Sequence, residues 1–240
     1  MPIKQTIDYQ DENQALEGWL VYEDKGDSPA PGIVVFHEYM GLGPYLERIL
    51  KNLSGLGYVV LAADMYGKGI RPGDATTALA LSRPFRDNRQ AMRRRAKAAL
   101  DCLRRIGRVD PQQIAAIGYS FGGCAALELA RSGEALQAAV SFYGYLETPL
   151  PATPDSIKAK LLVFHGMHDP VVPESSLAAY CQEMAAAGAK NRVVTYGDAG
   201  HGFCNREMDG FQDPWNCYSR RHDEQSWQTL VTFLAEALHA

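Results

Sequence analysis

A lone serine stands between two glycines in the segment Gly118-Tyr-Ser120-Phe-Gly122. The residues before it are typical of an apolar strand, and those after it are typical of an apolar helix. A side chain on such a sharp turn projects from the C-terminal edge of a sheet, where open α/β folds bind ligands. Glycine is needed on either side because the turn is strained and backbone segments pass close together. The pattern predicts a nucleophilic serine, with the N-terminus of the following helix placed to stabilise an oxyanion.

The same segment has two alternative interpretations. Ser120 could simply cap the following helix, a position that serine often takes. A dinucleotide-binding loop would need the pattern G-x-G-x-x-G, and Ser120 stands where that pattern has its second glycine. The other glycine cluster, Gly41 and Gly43, lacks the third glycine. The strand before Ser120 and the helix after it favour the nucleophile.

Serine is a poor nucleophile at neutral pH, so the hypothesis requires a histidine base and an acid that orients it. In sheets with this kind of turn, the acid and then the histidine follow the serine along the chain. The sequence has six histidines. His201 is the best placed, because it follows the last predicted strand and lies between Gly200 and Gly202. We therefore predict that His201 is the general base.

The acid is predicted at Asp169, where an apolar strand runs into a polar loop. Parallel strands end at one edge of a sheet, so this position lies on the same edge as Ser120. Asp198 is the alternative acid, although an aspartate there is typical of a solvated turn. His165 and His168 beside Asp169 could suggest a metal site, but their spacing matches no common zinc pattern. We predict neither a metal nor a cofactor.

These residues require a sheet whose strands end at one edge. Short β-rich runs alternate with longer helical patterns, which indicates a mostly parallel sheet with helices on both faces. The predicted strands are Ala15–Tyr22, Gly32–Phe36, Tyr58–Ala62, Gln113–Gly118, Ala138–Tyr143, Lys160–His165 and Arg192–Tyr196. The predicted helices are Tyr45–Leu56, Asn88–Ile106, Ser120–Ser132, Glu174–Ala187 and Asp223–His239. Two irregular segments, Met65–Asp87 and Gly202–Arg221, are typical of ligand-facing loops.

Composition limits the class of protein. The 240 residues are 46% hydrophobic and 22% charged, which predicts a single α/β domain over residues 1–240. A net charge of -4 gives no electrostatic footprint for nucleic acid. The basic run Arg93-Arg94-Arg95 lies within a predicted helix. Nucleic-acid binding is therefore not expected.

Two further features predict where the protein acts. The first 13 residues lack the apolar core of a signal peptide, and no apolar run approaches the ~18 residues that span a bilayer. The five cysteines are odd in number and form no C-x-x-C pair, so neither a disulfide framework nor a zinc knuckle is predicted. We expect a cytoplasmic protein that does not associate with membranes.

Six segments spread over most of the chain carry a family resemblance. They are "VVFHEYMGL" at Val34–Leu42, "ADMYGKG" at Ala63–Gly69, "IGYSFGG" at Ile117–Gly123, "VSFYG" at Val140–Gly144, "VFHGMHDPVVP" at Val163–Pro173 and "GHGF" at Gly200–Phe203. With these segments the chain resembles the dienelactone hydrolase family of the α/β-hydrolase superfamily. The resemblance implies an α/β-hydrolase fold and hydrolysis of an ester or lactone by Ser120, Asp169 and His201.

The resemblance also implies roles for residues beside the nucleophile. The backbone N–H groups of Tyr39 and Phe121 would form the oxyanion hole, and Glu38 matches the family's acid near the nucleophile. Family members typically have cysteine where this chain has Ser120, and Cys124 on the following helix is interpreted as core packing. The family's acid helps to activate a thiol of low pKa, whereas serine titrates far higher. Glu38 is therefore expected to orient groups or contact substrate.

Substrate contacts are predicted more broadly. Three arginines in suitable segments are candidates for the family's carboxylate-binding role, with ordinary surface exposure as the alternative: Arg83, Arg86 and Arg206. Seven aromatic residues are candidates either for an apolar pocket or for the core: Tyr39, Tyr66, Phe85, Tyr143, Tyr145, Phe203 and Trp215. The chain has no long insertion for a lid domain, which favours small acyl or lactone substrates.

The sequence thus favours a serine hydrolase that cleaves a small ester or lactone through an acyl-enzyme. Three other functions stay open: a small peptidase or thioesterase of the same superfamily, a binding protein on a non-catalytic scaffold, and thiol chemistry at Cys124. The chain lacks the propeller or large cap that often selects peptides. The sequence makes no prediction of the oligomeric state.

Overall fold

The computed structural model describes residues 2–24, 26 and 28–238. Over these residues eight strands form, which are β1 Ile3–Asp11, β2 Gln14–Tyr22, β3 Ala30–Phe36, β4 Val59–Ala63, β5 Val109–Tyr119, β6 Ala138–Phe142, β7 Lys160–Gly166 and β8 Asn191–Tyr196. Six α-helices alternate with them, which are α1 Pro44–Gly55, α2 Ala75–Asp87, α3 Arg89–Arg104, α4 Phe121–Arg131, α5 Glu174–Ala186 and α6 Arg220–Leu238. The predicted end of the last helix, His239, lies outside the described residues.

All eight strands belong to one sheet, in the order β1-β2-β4-β3-β5-β6-β7-β8. The first two strands form an antiparallel pair, and β2 also runs antiparallel to β4. Every other neighbouring pair is parallel. The long helical crossovers make this arrangement possible, because parallel strands cannot be joined by a tight turn. The predicted mostly parallel sheet is confirmed.

Helices cover both faces of the sheet, as predicted. Along β3 the side chains alternate, so that Ile33 and Val35 pack with α1 and α6 while Val34 and Phe36 pack with α3, α4 and α5. All four side chains are fully buried. Strands that are buried on both faces consist of continuous apolar residues, and the central strands could be predicted from the sequence for this reason.

The structure adds one strand and one helix to those predicted. Strand β1 is an edge strand with only two buried side chains, so it lacks the clear alternation of a half-buried strand. Helix α2 lies within Met65–Asp87, which was predicted as irregular, and that prediction is wrong for the second half of the segment. Only Ala78 and Ser82 of α2 are buried, and Pro84 lies inside the helix, so the apolar periodicity is weak. Asp74 begins α2 by accepting a hydrogen bond from the backbone N–H of Thr77.

The parallel strands bring the predicted site residues to one edge of the sheet. Strand β3 ends just before Glu38 and Tyr39, and β5 ends just before Ser120. Strand β7 ends three residues before Asp169, and β8 ends five residues before His201. The carboxyl ends of parallel strands are where open α/β sheets place their ligands. The topology therefore supplies one common edge for side chains that are far apart in sequence.

Two sequence predictions concern membrane-spanning helices and disulfide bonds. None of the described helices is both long and apolar enough to cross a bilayer. The five cysteines are free thiols, and three of them are buried, namely Cys102, Cys124 and Cys204.

A buried ion network holds helix α4, which follows the serine. Glu128 on α4 is fully buried and accepts hydrogen bonds from Arg93 of α3 at 2.7 Å and from Arg131 at 3.0 Å. Arg131 also donates to Glu183 of α5 at 2.7 Å and to the backbone oxygen of Leu146. Because the network joins three helices, it fixes α4 against its neighbours.

Replacing the central carboxylate should cost considerable stability. In Glu128→Ala the buried guanidinium of Arg131 and the partly buried one of Arg93 lose an acceptor, and we expect the free energy of unfolding to fall by about 3 kcal/mol. Urea unfolding followed by circular dichroism measures this. The exposed pair of Arg83 and Asp87 offers the control, since Asp87→Ala should cost less than about 0.5 kcal/mol. Equal losses for the two variants would contradict a stabilising role of the buried network.

Candidate active site

Ser120 lies in a strained turn between β5 and α4. Its φ is 52°, in the left-handed region that non-glycine residues rarely adopt, and its backbone N–H donates to the oxygen of Phe142 at 2.9 Å. A Cβ on Gly118 would lie 1.9 Å from the oxygen of Gly122, and a Cβ on Gly122 would lie 2.2 Å from the oxygen of Phe36. The two glycines are therefore required by backbone contact, and this contact holds the serine in its strained conformation.

The predicted serine, histidine and aspartate form a hydrogen-bonded chain. Ser120 Oγ lies 2.9 Å from Nε2 of His201, and Nδ1 of His201 lies 2.8 Å from Oδ2 of Asp169. A carboxylate only accepts hydrogen bonds, so the proton between His201 and Asp169 belongs to Nδ1. Nε2 is then free to accept the serine proton. The other oxygen of Asp169 accepts from the N–H groups of Val171 and Val172 at 2.7 and 2.9 Å, which fixes the carboxylate.

Close backbone packing also fixes the loop that carries the histidine. The N–H of His201 donates to the oxygen of Trp215 at 2.7 Å. A Cβ on Gly200 would lie 1.8 Å from that same oxygen, so no larger residue fits there. Gly202 has a φ of 68°, a conformation that favours glycine. The glycines on either side of His201 therefore have a structural reason, which the sequence alone did not show.

The alternative acid and one of the two histidines near Asp169, His168, have other partners. The carboxylate of Asp198 is exposed and pairs with Arg221 and with Nε2 of His222, the latter at 3.1 Å. His168 stacks on the ring of Trp215, with 3.9 Å between ring centroids. Among the described residues no group of three or more histidine, cysteine or carboxylate side chains is arranged to hold a metal ion.

The two residues predicted to supply the oxyanion hole, Tyr39 and Phe121, lie in the same cavity as Ser120. Phe121 is the first residue of α4, where backbone N–H groups have no acceptor within the helix. Tyr39 and Phe121 both line the cavity that contains Ser120. The oxygen of Tyr39 accepts a hydrogen bond from the hydroxyl of Tyr66 at 2.6 Å, which holds the peptide group between Tyr39 and Met40.

Glu38 is buried beside the serine but bonds to other groups. Its two carboxylate oxygens accept hydrogen bonds from the hydroxyl of Tyr143 at 2.9 Å and from Nδ2 of Asn205 at 3.0 Å. Its backbone N–H donates to the hydroxyl of Tyr45. Burial raises the pKa of Glu38, while nearby His201 acts in the opposite direction. Glu38 thus joins its own loop to the loops after β6 and β8, which supports the expectation that it orients groups.

A cavity of about 520 Å³ opens at the serine. Of the predicted residues it is lined by Ser120, His201, Glu38, Tyr39, Phe121, Arg86 and Tyr145. Arg86 lies over the ring of Tyr145, with its guanidinium carbon 4.5 Å from the ring centroid. A cavity of this volume is in the range that holds small-molecule ligands.

Three of the predicted substrate-binding residues lie outside this lining. Arg83 points to solvent and pairs with Asp87 at 3.4 Å. Arg206 pairs with Asp223 at 3.2 Å and lines a second cavity of about 230 Å³. Phe203 is fully buried in the core, because it packs in edge-to-face contact with other aromatic rings beneath the sheet edge. None of these three side chains lines the cavity at Ser120.

Three of the other predicted aromatic residues are also part of the core. Tyr66 and Tyr143 are buried, and Phe85 packs edge to face on Phe121. Trp215 is partly exposed and stacks on His168. Each large ring therefore has packing partners of its own within the protein.

The cavity is lined by further residues that the sequence did not single out. The irregular segment Gly202–Arg221, which contains a short 3-10 helix at Arg206–Met208, contributes half of them. The others come from α2 and from the loops after β3 and β7. The additional lining residues are Met40, Ala75, Leu79, Ser82, Val171, Asn205, Glu207, Met208, Phe211 and Asn216. The signal in the sequence was the irregularity of this segment and of Met65–Asp87, which contains α2, since both segments were predicted to face a ligand.

The thiol nearest in sequence to the serine lies in the core. Cys124 is fully buried in α4, and burial raises the pKa of its thiol to about 11. It is not among the described residues that line the cavity. A protonated, inaccessible thiol is a poor nucleophile, so the packing interpretation of Cys124 is supported.

The sheet, the strained turn and the hydrogen-bonded chain of serine, histidine and aspartate define an α/β-hydrolase fold. The sequence model of the dienelactone hydrolase family matches residues 16–238. The chain therefore belongs to the dienelactone hydrolase family, and its class of reaction is the hydrolysis of esters or lactones.

Relatives and solved structures agree with this membership. A protein of Escherichia coli strain K12 named "Putative carboxymethylenebutenolidase" is 27% identical over 225 residues, which cover 88% of this chain and 79% of that protein. The dienelactone hydrolase-like promiscuous phosphotriesterase P91, from metagenomic libraries, is 31% identical, with a TM-score of 0.90 and 98% of both chains covered. A structure titled m3DLH is 33% identical, with a TM-score of 0.92 and 99% of both chains covered.

The close approach of the two glycines can be tested directly. In Gly118→Ala the new Cβ would collide with backbone of α4, so the turn must open. We expect a loss of at least about 3 kcal/mol in the free energy of unfolding, together with loss of reactivity at Ser120. Urea unfolding and labelling with a fluorophosphonate measure these two effects. Gly107→Ala is the control, because nothing lies within 4 Å of a Cβ at that position. If Gly118→Ala is as stable and as reactive as this control, the close contact between Gly118 and the backbone of Gly122 is refuted.

The raised pKa of Glu38 predicts how stability depends on pH. Between its ordinary pKa of 4.5 and its higher folded value, the folded protein binds more protons than the unfolded chain. This contribution is present below pH 4.5 and is lost as the pH rises through the folded pKa. Relative to Glu38→Gln, which does not titrate, the wild type should therefore lose stability as the pH rises from 4.5. Urea unfolding at several pH values measures the difference.

The control for this pH series is Glu236→Gln, which removes an exposed carboxylate that is solvated in both the folded and the unfolded chain. Its stability difference from the wild type should stay nearly constant over the same pH range. A constant difference for Glu38→Gln as well would contradict the desolvation of Glu38.

Proposed function

We propose that this protein is a serine hydrolase that cleaves an ester or lactone through an acyl-enzyme intermediate on Ser120. The observation that carries the proposal is the continuous hydrogen-bonded chain from Ser120 through His201 to Asp169, with heavy-atom distances of 2.9 and 2.8 Å. Nucleophile, base and orienting acid at such distances are the structural signature of an activated serine. The chain also ends in a cavity large enough for a substrate.

In the first half of the reaction, Ser120 Oγ attacks the carbonyl carbon while Nε2 of His201 takes the serine proton. Asp169 keeps the proton on Nδ1 and stabilises the imidazolium that forms. The carbonyl oxygen becomes an oxyanion, which the N–H groups of Tyr39 and Phe121 are placed to receive. Removal of one such donor typically costs about 3 kcal/mol of transition-state stabilisation. Collapse of the intermediate expels the alkoxide, which takes the proton from His201.

In the second half, a water molecule repeats the attack on the acyl-enzyme. His201 takes a proton from the water, the hydroxide adds to the acyl carbon, and the oxyanion forms in the same place. When the intermediate collapses, the bond to Ser120 Oγ breaks and His201 returns the proton to the serine. The products are a carboxylic acid and an alcohol, which remain joined in one molecule when the substrate is a lactone.

Glu38 supports this chemistry as a positioning residue. Its carboxylate ties the loop of Tyr39, which supplies an oxyanion donor, to Asn205 in the loop that follows His201. Both of its oxygens already accept hydrogen bonds from Tyr143 and Asn205. With a serine in the place of the family's thiol, Glu38 aligns the two loops instead of lowering the pKa of the nucleophile. Arg86 and Tyr145 are the predicted substrate contacts that line the cavity.

The proposal predicts that one hydroxyl carries the activity. Ser120→Ala should lower kcat/KM for p-nitrophenyl acetate by at least about 10⁴-fold, since residues of such a unit act together. A fluorophosphonate should add its mass to the wild type and not to Ser120→Ala, as intact-protein mass spectrometry would show. Cys124→Ala is the control and should keep both the activity and the label, because its thiol lies in the core.

The same two variants separate the alternative functions. Activity that survives Ser120→Ala and disappears in Cys124→Ala would replace the serine with a thiol nucleophile. A wild type that neither takes the label nor hydrolyses any ester would favour a binding protein on a non-catalytic scaffold.

A further inference from the structure

The charges in the cavity are unlike those of a site for anions. Among the described lining residues Arg86 is the one arginine, and its guanidinium already lies over the ring of Tyr145. Two carboxyl groups, those of Glu38 and Glu207, line the same cavity. One cation against two carboxyl groups gives no net attraction for a carboxylate.

The other candidate arginines do not change this balance. Arg83 pairs with Asp87, and Arg206 pairs with Asp223, and both lie outside the cavity lining. A carboxylate-bearing substrate would therefore leave water for a cavity in which its charge meets a single, already engaged guanidinium. Desolvation without a full partner is unfavourable for an anion.

The mouth of the cavity is apolar and exposed. Leu79 on α2 is 49% exposed, Val171 after β7 is 38% exposed, and Phe211 in the segment after His201 is 56% exposed. These three side chains come from separate parts of the chain and line one cavity. Exposed apolar side chains that gather around a cavity are typical of a ligand-binding surface, whereas isolated ones are ordinary.

The interior continues this apolar surface. Met40 and Met208 also line the cavity, and methionine adapts to ligands of different shape. An apolar group that leaves water for this surface gains free energy with every methylene that it buries. Ser120 and His201 line the same cavity, so a carbonyl that reacts there lies in the cavity that contains these apolar side chains.

From the mouth and the charges together, we propose that the cavity selects uncharged esters with an apolar acyl group of roughly four to eight carbons, which packs against Leu79, Val171 and Phe211. Esters and lactones that bear a carboxylate are disfavoured. This inference rests on the proposed serine hydrolase function, since it assigns a substrate class to the same site.

Acyl-chain length tests the apolar mouth. For p-nitrophenyl acetate, butyrate, hexanoate and octanoate, kcat/KM should rise by up to about fourfold per added methylene until the chain extends past Phe211. Leu79→Ser and Phe211→Ser should each lower kcat/KM for the octanoate at least fivefold and for the acetate less than twofold. Leu56→Ser is the matched control, because Leu56 is 44% exposed but does not line the cavity. Equal values for all chain lengths, or an equal loss in the control, would overturn the proposal.

A charged ester tests the selection against anions. The mono-p-nitrophenyl ester of adipic acid has the same number of carbons as the hexanoate but ends in a carboxylate. Its kcat/KM should be at least tenfold lower than that of the hexanoate. Because Glu207→Gln removes a negative charge from the lining, it should reduce the ratio of the hexanoate kcat/KM to the adipate kcat/KM by about threefold at low salt. A preference for the adipate ester, or for dienelactone, would refute the selection.

A binding measurement keeps this test separate from the catalytic proposal. Tryptophan fluorescence titration of Ser120→Ala with the hexanoate and adipate esters reports selectivity without hydrolysis. Tighter binding of the hexanoate supports the inference even if the wild type proves inactive. Tighter binding of the adipate ester overturns the inference even if the wild type hydrolyses esters through Ser120.

Discussion

The site depends on one backbone contact, in which the start of α4 passes directly over the end of β5. A Cβ at Gly118 or Gly122 would lie about 2 Å from backbone atoms, so two glycines are the condition for this approach. The approach forces Ser120 to a φ of 52° and turns its hydroxyl toward His201. The buried carboxylate of Glu128 holds α4 against its neighbours, so strain at the serine is resisted by the packing of three helices.

A second constraint joins the loops around the serine. Glu38 is buried, and its burial raises its pKa, yet both of its oxygens have donors from different loops. Buried carboxyl groups of this kind specify one arrangement, because any displacement of Tyr143 or Asn205 leaves an unpaired polar group. In a family whose members typically use a thiol, this chain has Ser120 at the turn and Cys124 in the core. In the function that we propose, the acid beside Ser120 is thereby left with an aligning role.

The apolar lining of the cavity comes largely from segments that contribute little to the core. Helix α2 buries few side chains and the segment after His201 is mostly irregular, so their apolar side chains remain available to a ligand. The arginines illustrate the same point, because Arg83 and Arg86 lie on one helix and yet only Arg86 lines the cavity. Ion pairs with Asp87 and Asp223 direct the other candidates elsewhere. In the function that we propose, the geometry of these loops and of α2 around Ser120, His201 and Asp169 sets the substrate class.

The sequence by itself determined the strand and helix alternation, the turn at Ser120, and the order of Asp169 and His201. These follow from local rules, since glycine spacing and the apolar runs of doubly covered strands constrain the chain over a few residues. Only the tertiary structure decided that α2 is a helix, that Phe203 is in the core, and that Glu38 bonds to Asn205. The positions of Phe203 and Glu38 depend on partners far apart in the chain, and such packing leaves no periodic signal in one segment. Helix α2 buries only Ala78 and Ser82, so its own apolar periodicity is weak.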